Sequence, residues 1–314
     1  MTSTPPPRTL ILGSDYTGET NSRMGVAEWL EGEITQVSLA TAEKVASGST
    51  EPDLLGHDLL IAGTGEDTTR LALDLASKIG NPLTVFVASI LPDELDPDIH
   101  RYDLVVAPPH PQLLGDHVLP ILGVPNRLPP NPTPPQPVSA APRLALLLGG
   151  NTRYCTGFTV DYAQRLANRL LKQAQLWNGR FVVTNSRRTP EDALHALRNV
   201  LAPVEESFLD WEQSDPQGYM NLLEEAEVIF CTGDSLSMCS EAAMQGKPLL
   251  VTCDEEAMEI YHLQTLHRMV REGHAHFFKE PVEDIPAPVS VLNTTETIGL
   301  KVSELLKSRK RANS

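Results

Sequence analysis

Short apolar runs recur from one end of the chain to the other, and helix-length amphipathic stretches lie between them. Gly, Pro or Asp residues bound each run. This pattern is typical of strands that are buried on both faces of a parallel sheet, because the helices that connect such strands cover both faces. The sequence therefore predicts an α/β protein.

Both kinds of element can be placed along the chain from this pattern. The predicted strands are Leu10–Leu12, Ile34–Leu39, Leu59–Ala62, Leu83–Ala88, Leu104–Ala107, Leu144–Leu148, Phe181–Thr184, Val228–Cys231, Leu249–Thr252 and Val289–Leu292. The predicted helices, in which apolar residues recur at helical spacing, include Thr68–Ile79, Thr159–Gln175, Pro190–Val200 and Ile260–Glu272.

A proline-rich segment divides these elements into two groups. The chain has 314 residues, and single cores rarely grow much past roughly 250 residues, so two domains are expected. Residues 128–142 read LPPNPTPPQPVSAAP, which can form neither a helix nor a central strand and is interpreted as an extended connector. We therefore predict two doubly wound, Rossmann-like domains, residues 1–127 and 143–314. Whether the last helix packs back on the first domain stays open.

The two halves resemble each other weakly. LLIAGTGEDTTRLALDLASKIGNP in the first half and VIFCTGDSLSMCSEAAMQGKP in the second share a strand, Thr-Gly, an acid, hydroxyl residues, a helix and Gly-x-Pro. Two copies of one unit would explain the likeness, and so would the order of strand, loop and helix that all parallel α/β units share.

The charge of the chain argues against a nucleic-acid-binding surface. The net charge is −16, and only Lys307–Arg311 forms a basic cluster. That cluster is either a solvated tail or a contact with a membrane surface. No apolar run is long enough to span a membrane, and MTSTPPPR has no apolar core of the kind found in a secretory signal, so we expect a cytoplasmic protein.

The four cysteines show no C-x-x-C spacing. Three of them lie in apolar or Ala/Ser-rich surroundings, which favours buried thiols over disulfides or zinc ligands. They are Cys155, Cys231, Cys239 and Cys253.

Ligands of open parallel sheets bind beyond the carboxyl ends of the strands, so the loops after the strands are where a site is expected. In the second half, one predicted strand runs into Gly149-Gly150-Asn151. The glycines would let backbone N–H groups line a concavity suited to a phosphate, and Asn151 would lie beside it. A plain tight turn needs the same residues.

The next predicted strand runs into Ser186-Arg187-Arg188-Thr189 and a helix that starts at Pro190. Two guanidinium groups beside the positive end of a helix repel each other unless an anion joins them, and guanidinium forks match phosphate geometry. A diphosphate is thus the expected ligand. In the alternative interpretation, one arginine pairs with a carboxylate of the protein.

The third loop reads CTGDSLSMCSEAAMQGKP, from Cys231. Gly233 permits a sharp turn, and Asp234, Ser235 or Ser237 can cap the following helix and leave N–H groups free for a phosphate. Glu241 would reach toward sugar hydroxyls from that helix. An ordinary capped helix that ends at Gly246-Lys247-Pro248 is the alternative.

These motifs carry a resemblance to a known family. The second half resembles the plant mitochondrial-fission "elongated mitochondria" family and its bacterial relatives, which look like GT-B glycosyltransferases. The likeness rests on Gly149-Gly150, Ser186-Arg187-Arg188-Thr189-Pro190, Asp234-Ser235, Ser237-Met238, Ser240-Glu241 and Gly246-Lys247-Pro248. In the first half it is confined to Thr17-Gly18 with Asn21, Ala62-Gly63 and Pro109-His110.

The resemblance implies two domains that face each other across a cleft, with a nucleotide sugar held by the second. It implies that Glu241 binds the ribose, that Ser235 to Ser237 flank the diphosphate and that Arg187 contacts a phosphate. The chain departs from the family where an Asn-Pro-Tyr element is usual, since only Tyr219 is retained. The loop after the first strand also lacks the histidine that many GT-B transferases use as a base.

A sugar transferase would need a base from the first domain. Asp15, Asp67 and His110 each follow a predicted strand there. Asp15 is equally suited to capping the next helix, and His110 to an ordinary loop role. No metal ion or other cofactor is needed for such a transfer if arginines and helix N-termini offset the charge of the leaving diphosphate.

The sequence thus leaves three functions open. The first is metal-independent glycosyl transfer from a nucleotide-diphosphate sugar to an unknown acceptor. The second is a non-catalytic scaffold or nucleotide sensor, as the fission role of the plant relatives suggests. The third is a nucleotide-sugar epimerase on the same fold.

Overall fold

The computed structural model describes residues 5–14, 16–64, 68–129 and 137–312. The chain divides into two compact units. The first contains the described residues of Met1–Arg127 together with those of Asn293–Ser314, and the second is formed by those of Leu128–Leu292. Residues 293–314 follow the second unit along the chain but belong to the first.

The elements alternate between strand and helix through most of the chain. The first unit contains β1 (Arg8–Leu12), α1 (Thr17–Trp29), β2 (Glu33–Val37), α2 (Leu39–Ala46), β3 (Leu59–Gly63), α3 (Thr69–Lys78), β4 (Leu83–Val87), β5 (Leu104–Ala107) and β6 (Val118–Pro120). The second contains β7 (Arg143–Leu147), α4 (Val160–Trp177), β8 (Arg180–Thr184), α5 (Glu191–Leu201), β9 (Glu205–Leu209), α6 (Pro216–Glu225), β10 (Val228–Cys231), α7 (Leu236–Ala243), β11 (Leu249–Thr252), α8 (Ile260–Arg271) and β12 (His276–Phe278). Helix α9 (Thr294–Ala312) completes the first unit.

The sheet of the first unit is parallel throughout, with the strand order β2-β1-β3-β4-β5-β6. Helix α9 packs against α1. Its residues Ile298, Val302 and Leu306 are buried, and a Cβ added to Gly299 would lie 2.1 Å from Cε3 of Trp29. The close approach of these two helices therefore requires a glycine at this position.

The sheet of the second unit is also parallel, with the order β12-β11-β10-β7-β8-β9. The chain runs outward from β7 to β9 and then returns to β10 on the other side of β7. This reversal creates a topological switch point between β7 and β10, which is where ligands of open α/β sheets usually bind. Edge-to-face aromatic contacts of Phe230 with Phe181 and Phe278, at centroid distances of 5.4 and 5.1 Å, fill the core behind that point.

The expected α/β class and its doubly wound parallel sheets are confirmed. The two segments that resemble each other also occupy corresponding places, since β3 pairs with β1 and β10 pairs with β7, in each case beside the first strand. A common origin of the two halves stays a prediction.

The expectation for Val289–Leu292 is wrong. This segment is not a strand, although Val289 is buried and the N–H of Leu292 donates to the carbonyl of Ala243 at 3.3 Å. Its apolar residues pack against the end of α7 instead of joining the sheet. The last strand is β12, which pairs with β11.

Strands β6, β9 and β12 were not anticipated from the sequence. Strands β6 and β9 are the outer strands of their sheets, and β12 is the outer strand at the other edge of the second sheet. Each has partly or fully exposed positions, so it lacks the continuous apolar run that marks a strand buried on both faces.

The basic cluster near the end of the chain lies on α9 and turns toward the first unit. The guanidinium of Arg309 is 3.4 Å from the carboxylate of Asp103, and Nζ of Lys310 is 3.9 Å from that of Asp58. Contact with a membrane surface stays a prediction. None of the helices in the described ranges is both long and apolar enough to cross a bilayer.

Candidate functional site

All of the predicted ligand-binding residues lie at the carboxyl edge of the second sheet. They belong to the loops after β7, β8 and β10 and to helix α7. Strand β7 pairs with both β8 and β10, so these three loops are neighbours around the switch point. The sheet order therefore brings together segments that are far apart in sequence.

The glycine pair after β7 is packed against its neighbouring loops. The N–H of Gly149 donates to Oγ1 of Thr232 at 2.8 Å, and that of Gly150 donates to Oδ2 of Asp234 at 2.6 Å. A Cβ on Gly149 would lie 2.0 Å from Oδ2 of Asp234. Both amide groups, which the sequence assigned to a phosphate, are thus used by the protein. The glycines serve close approach between loops.

The two arginines after β8 have different roles. The guanidinium of Arg188 donates to the carbonyls of Gly150 and Asn151 at 3.0 and 3.2 Å and lies 3.3 Å from the carboxylate of Asp234. Arg187 is exposed and makes no hydrogen bond or ion pair with a described residue. The interpretation in which one arginine pairs with a carboxylate therefore applies to Arg188, and only Arg187 is left for an anion.

The remaining polar residues of these loops brace them. The hydroxyl of Ser186 donates to the carbonyl of Gly149 at 2.8 Å, and the hydroxyl of Thr189 donates to the same carbonyl. The side-chain oxygen of Asn151 accepts a hydrogen bond from the N–H of Phe158 at 3.0 Å. These contacts hold the loops after β7 and β8 together, so a ligand would meet a rigid edge.

Asp234 does not cap α7. The helix begins at Leu236 with Ser235 as its N-cap, and the Ser235 side chain makes no cap hydrogen bond. The Asp234 carboxylate turns instead to Gly150 and Arg188. Burial raises its pKa, and the charge of Arg188 opposes that effect. Of the three expected caps, Ser235 therefore occupies the N-cap position without a side-chain cap hydrogen bond, while Asp234 lies before the cap and Ser237 lies within the first turn. The first amide groups of α7 are left without a side-chain acceptor.

Gly233 lies in the turn between β10 and α7. Its N–H donates to Oγ1 of Thr252 at 3.2 Å, and a Cβ at Gly233 would lie 2.3 Å from the Thr252 carbonyl oxygen. The sharp turn expected here is thus required by the neighbouring strand β11.

Glu241 lies on α7 and meets Tyr219 of α6. The Tyr219 hydroxyl donates to Oε2 of Glu241 at 2.9 Å. Burial raises the pKa of Glu241 to about 7, and the hydrogen bond from Tyr219 opposes this rise. The Glu241 side chain keeps some exposure, so neighbouring atoms reduce its hydration without removing it from water entirely. Tyr219 is the residue that the sequence retains from the family's tyrosine element.

Sequence reasoning missed His262 and Glu259 at the start of α8. The two residues form a capping box in which the N–H of Glu259 donates to Nδ1 of His262 at 3.3 Å. His262 is 4% exposed, and burial together with the charge of Arg188 lowers its pKa to about 4. Glu259 also accepts a hydrogen bond from the Thr152 hydroxyl. The sequence signal that could have revealed this pair is an acidic residue three positions before a histidine at the start of a predicted helix, which is the spacing of a capping box.

The three base candidates that the sequence offered belong to the first unit. Asp15 and Asp67 lie outside the described residues. His110 follows β5, and its Nδ1 accepts a hydrogen bond from the N–H of Gln112 at 3.2 Å, as in an ordinary loop. One carboxylate that sequence reasoning did not single out, Glu19 of α1, accepts hydrogen bonds from the hydroxyls of Thr64 and Ser89 at 2.9 and 2.7 Å.

The cysteines and the Gly-Lys-Pro segment have structural roles. All four cysteines are free; Cys231 and Cys239 are buried, and Cys155 and Cys253 are partly exposed. The Sγ atoms of the buried pair are 3.5 Å apart. Nζ of Lys247 donates to three carbonyls at the end of α6, including that of Leu223 at 2.8 Å.

The fold is similar to that of two proteins of the GT-B class. The first is MurG of Acinetobacter baumannii, with a TM-score of 0.51 and 11% identity over 96% of this chain and 91% of that one. The second is UDP-GlcNAc 2-epimerase of Methanocaldococcus jannaschii, with a TM-score of 0.54 and 13% identity over 95% and 99%. At this level of identity the likeness concerns the fold.

A sequence relative occurs in Rickettsia prowazekii. The uncharacterized protein RP120 is 29% identical over 141 residues, which are 44% of this chain and 39% of that protein. The chain thus matches less than half of the length of this relative.

The family model for mitochondrial fission ELM1 matches residues 13–306. This range includes β2 to β12, all but the first strand of the first sheet, and confirms the family expected from the motifs after β8 and β10. The chain belongs to the mitochondrial fission ELM1 family.

Proposed function

We propose that the second unit binds a nucleotide-diphosphate sugar at the carboxyl edge of its sheet and that the protein is a metal-independent glycosyltransferase. The observation that carries the proposal is the exposed Arg187, which pairs with none of the described residues and lies on a loop that Arg188 ties to the start of α7. The guanidinium of Arg188 donates to the carbonyl of Asp234 at 3.3 Å, two residues before that helix begins.

This arrangement suits an anion. The first turn of α7 has no side-chain cap, so its amide groups and the positive end of the helix dipole are available to a phosphate. Arg187 would supply the second set of donors. Positive charge placed here would stabilise a nucleoside diphosphate as the bond to the sugar breaks, which is the role that a metal ion has in other transferases.

Glu241 is suitably placed for the ribose of such a ligand. It lies five residues beyond Leu236, or about 7.5 Å along the helix axis at 1.5 Å per residue. A ribose attached to a phosphate at the helix start would extend in this direction. The epimerase that shares the fold acts, by its name, on a UDP sugar, which supports a nucleotide of this class.

Thermal shift measurements test the proposal. The protein would be heated with uridine, guanosine and cytidine diphosphates and with their sugars. A ligand at a hundredfold its dissociation constant should increase the free energy of unfolding by roughly 2.7 kcal/mol. Arg187→Ala should abolish the shift.

Arg271→Ala is the matched control. Arg271 ends α8 and its side chain is 72% exposed, so this variant removes the same charge far from the loops after the strands. It should keep the full ligand-induced shift. If every diphosphate and sugar leaves the melting temperature of the natural protein unchanged, the proposal is wrong.

Binding without transfer is the second candidate function. The hydrogen bond that Nδ1 of His110 accepts within its own loop favours binding without transfer, because Nδ1 is then not free to act as a base. Release of free nucleoside diphosphate from a bound nucleotide sugar, measured by a coupled assay, separates the two functions. A sensor would bind the sugar nucleotide and release none.

A further inference from the structure

Tyr219 and Glu241 form a hydrogen-bonded pair that lies outside the loops of the proposed diphosphate site. Tyr219 lies in the first turns of α6, which Asp215 caps by accepting a hydrogen bond from the N–H of Gly218 at 2.7 Å. Its hydroxyl donates to Oε2 of Glu241 on α7 at 2.9 Å. The contact joins two helices whose starts lie at the carboxyl edge of the sheet.

The pair has few charged neighbours. The thiols of Cys231 on β10 and Cys239 on α7 face it, and both are buried. Burial and the Tyr219 hydroxyl are the two influences on the Glu241 carboxyl. Among the described residues, β11 and α8, which also pack against α7, add no charge that shifts it. Glu241 therefore lacks a cation that would hold it ionised.

The two oxygens of the Glu241 carboxylate are not equivalent. Oε2 accepts from Tyr219, while Oε1 makes no hydrogen bond with a described side chain or backbone group. Oε1 is thus the atom that a sugar hydroxyl would reach. Because the hydrogen bond restricts the rotation of the carboxylate, it also directs Oε1 toward one position.

Resting on the proposed function, we infer that Tyr219 is the positioning residue that holds Glu241 for a sugar hydroxyl of the nucleotide, and that the carboxyl of Glu241 is ionised when it accepts that hydroxyl. The carboxyl O–H bond breaks, its proton passes to the solvent buffer, and the ionised carboxylate accepts the hydroxyl of the sugar. No other reactant takes part.

The direction of the pH effect follows from the ionisation of Glu241. A sugar hydroxyl donates more strongly to a carboxylate than to a neutral carboxyl. The pKa of Glu241 is about 7 in the free protein, so affinity should increase as the pH rises toward this value and then level off. Below it, the dissociation constant should change by up to about tenfold per pH unit.

Isothermal titration calorimetry with uridine, guanosine and cytidine diphosphates between pH 5.5 and 8.5 tests the inference. The variants are Tyr219→Phe, which keeps the ring and removes the hydroxyl, and Glu241→Gln, which removes the ionisation. Loss of the hydroxyl should move the midpoint of the affinity profile to higher pH, because the hydrogen bond favours the carboxylate. Glu241→Gln should remove the part of the profile that depends on the Glu241 carboxyl and leave only the part due to the terminal phosphate of the ligand, which titrates near about pH 6.

A merely structural role of Tyr219 would weaken binding equally at every pH and leave the midpoint unchanged. Either that result or a flat profile in the natural protein overturns the inference and leaves the proposed function intact. Failure of all three diphosphates to bind at any pH overturns both. Carbon-13 NMR titration of the Glu241 carboxyl in the free protein should show the same upward movement in Tyr219→Phe.

Discussion

Replacement of the adjacent residues Arg187 and Arg188 by alanine should have opposite effects on stability and binding. Arg188 is 31% exposed and is paired with Asp234, which is 2% exposed. Its removal leaves a buried carboxylate that keeps hydrogen bonds from the Gly150 N–H and the Thr232 hydroxyl but has lost its cation. It also leaves three loop carbonyls without the guanidinium donor. Arg187 has no described partner to lose.

The expected magnitude follows from these contacts. Breaking a buried ion pair costs about 3–5 kcal/mol, and the partial exposure of Arg188 lets water replace some of its contacts, so we expect about 3 kcal/mol for Arg188→Ala. For a unit of this size that corresponds to a decrease in melting temperature of roughly 6–12 °C. Arg187→Ala should change the free energy of unfolding by less than about 0.5 kcal/mol.

Denaturant unfolding followed by tryptophan fluorescence measures the difference. Trp177 and Trp211 both belong to the second unit, so they report on the unit that contains the arginines. Arg188→Ala should shift the midpoint to lower denaturant concentration, and Arg187→Ala should leave it unchanged while abolishing nucleotide binding. Equal destabilisation by the two variants, or a neutral Arg188→Ala, would refute the separation of their roles.

Three further outcomes are expected. Gly150→Ala should lower the free energy of unfolding by about 2–4 kcal/mol in chemical denaturation. The φ of +152° at Gly150 is strained for other residues, and an alanine Cβ would lie 2.1 Å from the carbonyl oxygen of Arg188. Gly18→Ala is the control, because the space around Gly18 is open. Gly299→Ala should lower the melting temperature despite better helix propensity, because its Cβ would overlap Trp29. The pKa of His262 is about 4 in the folded protein, below its unfolded value of 6.5. The contribution of the neutral ring to the free energy of unfolding is therefore complete above pH 6.5 and is lost as the pH falls through 4. In unfolding measured from about pH 4 to 7, His262→Gln should reduce this loss of stability by up to about 3 kcal/mol.

Much of the fold follows from local patterns. The inner strands were placed to within a few residues, because a strand buried on both faces needs a continuous apolar run. The outer strands β6, β9 and β12 escaped prediction because one side of each pairs with no neighbour and tolerates polar residues, whereas the fourth outer strand, β2, was predicted. Val289–Leu292 has the apolar composition of a strand, yet it packs beside α7, and composition alone does not distinguish the two outcomes.

The convergence of the candidate loops was predicted more accurately than the contacts within them. Polar loops after β7, β8 and β10 were expected to converge, and they do, because parallel strands end at one edge. The roles within the loops differ from expectation. The amides of Gly149 and Gly150 are taken by side chains of the β10 loop, and Asp234 braces the glycine loop where a cap was expected.

The sequence alone determined the α/β class, the family and the loops where chemistry is expected, while the connector predicted at residues 128–142 lies largely outside the described residues. Each of these depends on the spacing of residue types along the chain. Only the tertiary structure decided which arginine is free and which acid meets Tyr219. These choices depend on contacts between residues far apart in sequence, such as Gly150 with Asp234, and such contacts exist only once the strand order sets β10 beside β7.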